Sequence, residues 1–141
     1  MNANTQFTMA THILAYLALF SEKPQSSAEI AASVGTTSAL VRRVLQLLHQ
    51  AGLTKGTKGV HGGAVLGRSP EKITLLDVYL TVKQSSLFDF HSNPHPNCPV
   101  GGPLPEVLGG VLLEAEEALK VRLNATTIKD FVKLLSRNTL S

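Results

Sequence analysis

Between residues 24 and 68 the helix starts and stops fall in an order that few folds can accommodate. Upstream, Phe7, Ala10, Ile13, Leu14, Leu17 and Ala18 recur at helical spacing, which predicts an amphipathic helix from about Thr5 to Glu22. Pro24 stops it, having no N–H to continue the ladder. Ser26 and Glu29 then stand at the spacing of a capping box, opening a short helix through Ile30, Ala31 and Val34. Gly35 supplies the turn, because a residue without Cβ accepts positive φ. Thr37 or Ser38 caps a third helix that runs to about Ala51, and Gly52 ends it. Leu53–Gly56 and Ala64–Arg68 can pair as a hairpin around Lys58-Gly59-Val60-His61-Gly62-Gly63. Helix, helix, turn, helix, β-hairpin is the order of a winged helix-turn-helix. The fold class expected is mainly α with a small β-hairpin wing.

The third helix is the most informative element. Leu40, Val41, Val44, Leu45, Leu47 and Leu48 form its apolar stripe. Arg42, Gln46, His49 and Gln50 line the opposite side, with Arg43 at the edge. Over the whole chain 13 Lys and Arg exceed 10 Asp and Glu, a net +3 too small to imply a polyanionic partner if evenly spread. It is not evenly spread. No acidic residue lies between Glu29 and Glu71, whereas Arg42, Arg43, Lys55, Lys58 and Arg68 do, together with His49 and His61. Acids return further on, clustered at Glu114, Glu116 and Glu117. A helix in this arrangement fits the major groove of DNA, where residues near its N-terminus reach base edges. Thr37, Ser38, Arg42 and Arg43 are the candidates there; Arg pairs bidentately with guanine, and Ser or Thr binds phosphate or either base. Lys55, Lys58 and His61 fall on the wing, where a cation can enter the minor groove or meet the backbone. The plainer alternative has Arg43 packing its stem on the domain and Arg42 merely solvated.

Downstream, Thr74 and Asp77 make another N-cap pair before a short helix through Val78 and Val82. Residues 85–102 read as irregular, with Pro94, Pro96, Pro99, His91, His95 and the single Cys98. Pro103 and Pro105 suit a first helical turn. From there Leu104, Leu108, Val111, Leu112, Ala115, Leu119 and Leu123 form a long stripe, widened by Val107, Ala118 and Val121. That is more apolar surface than one small domain needs, and it reads as a dimerisation helix; ordinary core packing is the alternative. Gly109-Gly110 implies either a late helix start or close approach of a partner helix. Thr127 and Asp130 cap a final helix through Phe131, Val132 and Leu135. The expected organisation is a DNA-binding head over residues 1–83, a sensor loop over 84–102, and a helical dimerisation region over 103–141 that packs back on the head.

One cysteine excludes an intrachain disulfide and fits a reducing compartment. No stretch approaches the ~20 apolar residues needed to span a bilayer. The run Ile13–Phe20 has no Lys or Arg before it and no small-residue cleavage site after it, so a cytoplasmic core helix is expected. Cys98 sits in a loop near histidine, where a lowered pKa would expose it to oxidation or to an intersubunit disulfide; an inert, partly buried thiol is the alternative. His91, His95 and Cys98 have spacings open to a metal but offer three ligands. An iron–sulfur cluster wants about four thiolates, so no cofactor is expected. A thiol enzyme with Cys98 as nucleophile and His91 or His95 as base lacks an evident orienting group and oxyanion site, so no enzyme is expected. A module that turns the same helices toward a protein partner would show no preference for duplex DNA and little sensitivity to salt.

Five separated motifs carry a family resemblance. Glu29-Ile30-Ala31 through Val41-Arg42-Arg43-Val44-Leu45, Ala51-Gly52-Leu53, Lys58 to Gly63, Ile73 to Tyr79, and Asn97-Cys98-Pro99-Val100-Gly101 together resemble the Rrf2 family of repressors, the relatives of IscR, NsrR and CymR. The resemblance spans nearly the whole chain. It implies a homodimer with winged-helix heads, long crossing C-terminal helices and an operator of dyad symmetry. It places base-reading roles on Thr37, Ser38, Arg42 and Arg43. The wing position for the minor groove falls on Lys58, where Arg is usual, and Lys keeps the charge without the planar fork. Cluster-binding members carry three cysteines in the loop that here holds Cys98 alone. The chain is therefore similar to members without a cluster, in which a lone thiol or a small-molecule ligand supplies the signal.

Overall fold

The computed structural model describes residues 3–83 and 87–140 of the chain. The junction set between head and sensor loop, with the first residues of that loop, lies at 84–86, outside the described residues.

Helix α1 (Ala3–Leu19) runs through the centre of the core, with Ile13, Leu14 and Leu17 buried. It ends three residues short of the expected Glu22. The side chain of Gln25 explains this: its amide donates to the Phe20 carbonyl at 3.2 Å and the Lys23 carbonyl at 3.1 Å. These bonds bend the chain before Pro24 is reached. Gln25 itself is held as a bridge to Ala64, exchanging backbone bonds of 3.0 and 2.8 Å.

Helix α2 (Ser27–Val34) starts in the expected capping box, with Ser26 and Glu29 each accepting from the other's backbone N–H. It closes on Gly35 at φ 83°. Helix α3 (Ser38–Gln50) is capped by Thr37, whose Oγ accepts from Leu40 N–H at 3.2 Å. Val41, Val44, Leu45 and Leu48 are buried, while Leu40 and Leu47 are half-buried at the flanks of the stripe. At roughly 1.5–3 kcal/mol for each large apolar side chain, this burial outweighs the helix's modest length.

Strands β1 (Thr54–Thr57) and β2 (Gly63–Leu66) form an antiparallel hairpin with Thr54 opposite Leu66 and Thr57 opposite Gly63. The strands are shifted from the expected Leu53–Gly56 and Ala64–Arg68. Leu53 N–H is taken by the Leu48 carbonyl at 2.9 Å, so Leu53 offers the hairpin only its carbonyl, which accepts from Gly67 N–H at 2.9 Å. A 3-10 turn (Pro70–Lys72) leads to α4 (Leu75–Val82), capped reciprocally by Thr74 and Asp77.

Helices α5 (Leu104–Asn124) and α6 (Ile128–Leu140) differ in attachment. Ile128 is fully buried, its N–H bonded to the Ile73 carbonyl at 2.8 Å, and Leu75 N–H is bonded to the Thr126 carbonyl at 2.9 Å. These bonds strap the start of α6 to the head, and α6 lies along α1. By contrast, α5 rests chiefly on α4 and buries no residue. In α6 Ile128 is buried and Phe131 and Val132 are half-buried, whereas residues 133–138 are exposed. The glycines at 109 and 110 lie within α5 and do not delay its start; a Cβ on Gly109 would meet the Phe90 ring at 3.8 Å.

Candidate nucleic-acid interface

The C-terminal turn of α3 is joined to the wing by His49, whose Nδ1 is hydrogen-bonded to Thr54 Oγ at the start of β1. Arg42 and Arg43 are both exposed. The Arg42 guanidinium donates to Ser27 Oγ at 3.3 Å, which steadies the arginine against α2. Arg43, expected by one alternative to lie along the domain, is open to solvent. Thr37 is exposed but uses its oxygen as the helix cap, and Ser38 is half-buried in the first turn.

The wing loop is closed by hydrogen bonds across its base and within its turn. Thr57 Oγ accepts from Gly63 N–H at 3.0 Å and donates to its carbonyl at 3.2 Å. Gly62 N–H bonds the Gly59 carbonyl at 3.0 Å, and a Cβ on Gly62 would fall 2.3 Å from the Thr57 carbonyl oxygen. Lys55 on β1, and Lys58 and His61 in the loop, are all exposed. Arg68 does not join them. It donates to the Ala51 carbonyl at 3.4 Å and pairs with Asp77 at 3.7 Å, so its charge is offset.

Two features escaped the sequence reading. Val60 is 97% exposed at the wing tip, an apolar side chain held out between Lys58 and His61. His49 was placed only on the solvent face of α3, whereas it braces the wing. Its i+5 spacing to Thr54 was the available signal.

In the loop over 87–102, Cys98 is exposed. The backbone N–H groups of Gly101 and then Val100 point at its sulfur and hold the thiol below its usual pKa. Histidine was expected to provide that effect; instead His95 Nδ1 accepts from Asn97 N–H at 3.2 Å. Among the described residues no three His, Cys, Asp or Glu side chains come together at metal-binding distance, so the trio His91, His95 and Cys98 is not assembled.

The sequence model for Rrf2, described as an iron-dependent transcriptional regulator, matches residues 3–134. The chain belongs to the Rrf2 family. As an Rrf2 regulator it is 36% identical over 133 residues to YwnA of Bacillus subtilis, a candidate HTH-type transcriptional regulator, covering 94% of this chain and 98% of that one. It superposes on the structure of T. potens IscR with a TM-score of 0.72 at 25% identity, over 94% of this chain and 87% of IscR. CymR, the global cysteine regulator of B. subtilis, has the same fold, with a TM-score of 0.70 at 24% identity, over 95% of this chain and 98% of CymR. The family description names iron, but the residues of this Rrf2 chain do not fit a cysteine-held iron–sulfur group. One thiol is present where about four are wanted, and the described residues gather no substitute ligand set around it. Among the described residues no helix is long and apolar enough to cross a membrane.

Proposed function

We propose that this Rrf2 regulator is a homodimeric repressor that binds an operator of dyad symmetry in the cytoplasm. In this reading α3 enters the major groove with Thr37, Ser38, Arg42 and Arg43 near the bases, and Lys55, Lys58 and His61 of the wing meet the minor groove or its phosphates. The carrying observation is that Arg42 and Arg43 on α3 and Lys55, Lys58 and His61 on the wing are all exposed, within a stretch of chain that holds no acidic residue between Glu29 and Glu71. Residues 1–83 act as the head, the loop over 84–102 as the sensor, and 103–141 as the dimerisation region. The uncovered apolar side chains of α5 support the dimer: Val107 is 66% and Val121 73% exposed. The exposed, acidified thiol of Cys98 supports a switch in which oxidation or modification of that sulfur releases DNA.

The test is affinity for the duplex upstream of the protein's own gene, with reduced and with diamide-treated protein. Tight binding that falls steeply with salt is expected, because each phosphate contact releases counterions. Arg42→Ala should cost about 1–3 kcal/mol if that guanidinium reads a base. Loss of binding on oxidation, absent in Cys98→Ser, would establish the thiol switch. Binding indifferent to oxidation would leave the repressor and remove the switch, with a small-molecule ligand as the second reading. No binding in either state would defeat the proposal.

A further inference from the structure

The contacts assigned to DNA so far are all polar, yet the apex of the wing carries a valine. Gly62 N–H bonds the Gly59 carbonyl at 3.0 Å, so Gly59-Val60-His61-Gly62 is a turn with Val60 and His61 at its two central positions. Gly59 takes φ 107°, a left-handed conformation that suits a residue without Cβ. At the other end, a Cβ on Gly62 would fall 2.3 Å from the Thr57 carbonyl oxygen. Both ends of the turn therefore call for glycine, and between them Val60 is 97% exposed. Exposed Lys58 and His61 flank it.

A single exposed valine is ordinary on a protein surface. This one is set apart by its company: an apolar tip between basic side chains, in a stretch without acids from Glu29 to Glu71. Such a tip matches a surface that is negative at its rims and free of hydrogen-bond donors at its floor. The minor groove over A·T pairs is that surface. Phosphates line both of its walls, and its floor presents only the acceptors A N3 and T O2. At about 6 Å wide and 7.5 Å deep, it admits a side chain from the apex of a turn.

A G·C pair adds the guanine N2 amine to that floor. Val60 pressed against the amine would bury a donor with no acceptor. We infer that Val60 is a specificity-determining residue: it reads the absence of the minor-groove amine and so selects A·T pairs beneath the wing. Lys58 and His61 donate to the phosphates on either side. This inference rests on the DNA-binding reading above.

The test uses the full-length protein and the duplex upstream of its own gene, at one fixed salt concentration. Three versions of the duplex are compared: unmodified, with diaminopurine replacing adenine, and with inosine replacing guanine. The first replacement adds the amine to every A·T pair and the second removes it from every G·C pair. Both leave the hydrogen-bonding groups of the major groove as they were. Wild type should bind the diaminopurine duplex roughly tenfold more weakly than the unmodified one, the scale of one buried donor left unpaired. It should bind the inosine duplex at least as tightly. Val60→Ala, too short to reach the floor, should remove most of the diaminopurine penalty. Val60→Asn, whose amide oxygen accepts from the amine, should bring that duplex level with the unmodified one. Lys58→Ala should weaken binding to all three alike, because it removes a charge and leaves the floor contact. Far-ultraviolet dichroism of the Val60 variants should match wild type, since the apex lies outside the core.

Equal affinity of the wild type for the three duplexes overturns the inference and leaves the regulator reading standing. So does a diaminopurine penalty that Val60→Ala retains in full, which would assign it to groove shape or to another side chain. No binding to any of the three defeats the regulator reading, and the inference falls with it.

Discussion

Helices α3 and α5 carry apolar stripes that look alike in the sequence and have opposite fates in the fold. In 13 residues α3 buries Val41, Val44, Leu45 and Leu48. In 21 residues α5 buries none, and Val107, Val111, Leu113 and Val121 are each more than half exposed. The difference lies in what faces each helix. The stripe of α3 meets α1, α2 and α4 across a common core. That of α5 meets α4 on one side, where Lys83 Nζ pairs with Glu116 at 2.5 Å and Tyr79 OH donates to it at 3.0 Å, and it finds no core on the other. Apolar periodicity marks a face of a helix and does not say what packs against it.

The largest effect expected from breaking this comparison is in the core. Leu48→Ala removes a fully buried side chain and should lower unfolding free energy by about 2–5 kcal/mol, read by urea denaturation. The matching change on α5, Val111→Glu, should leave the far-ultraviolet dichroism intact. It should abolish self-association in sedimentation and weaken duplex binding on the order of a hundredfold, by uncoupling the two half-sites. Should Val111→Glu unfold the chain instead, α5 belongs to the core after all. A smaller loss, about 1 kcal/mol of stability, is expected for Thr37→Ala, since one cap bond at the start of α3 is removed.

The smallest effect tests how α5 is seated. The Lys83 ammonium, and then the Tyr79 hydroxyl, hold the Glu116 carboxyl below its ordinary range. A depressed folded pKa contributes stability that is present above the unfolded value and lost as pH falls through the folded one. Wild type should therefore melt slightly above Glu116→Gln near neutrality, and the gap should shrink below the ordinary glutamate range and close as pH falls through the depressed folded value. At the alkaline end Lys83 is raised, chiefly by its bond to Glu116, so its share is lost only as pH rises through that elevated value. A gap independent of pH would mean that the contact is steric.

Local rules made most of the head legible. Capping boxes at Ser26 and Thr74, the cap at Thr37 and the turn at Gly35 appear where spacing placed them, because each is decided within four residues. Of the candidate interface only exposure was legible: Arg42 and Arg43 on α3 and Lys55 and Lys58 on the wing are open to solvent. What depends on distant partners was not. The end of α1 was set by Gln25 pairing with Ala64, the start of β1 by Leu53 giving its N–H to the Leu48 carbonyl, and the neutralisation of Arg68 by Asp77.

The sequence by itself determined the order of the elements, their caps and the sign of charge on the α3–wing face. Short-range hydrogen bonding, periodicity and the absence of acids are properties of neighbours along the chain. Tertiary structure alone set α5 outside the core and strapped the start of α6 to the head through Ile73. Each of these depends on which groups residues far apart in the chain bring face to face, and no local spacing encodes that.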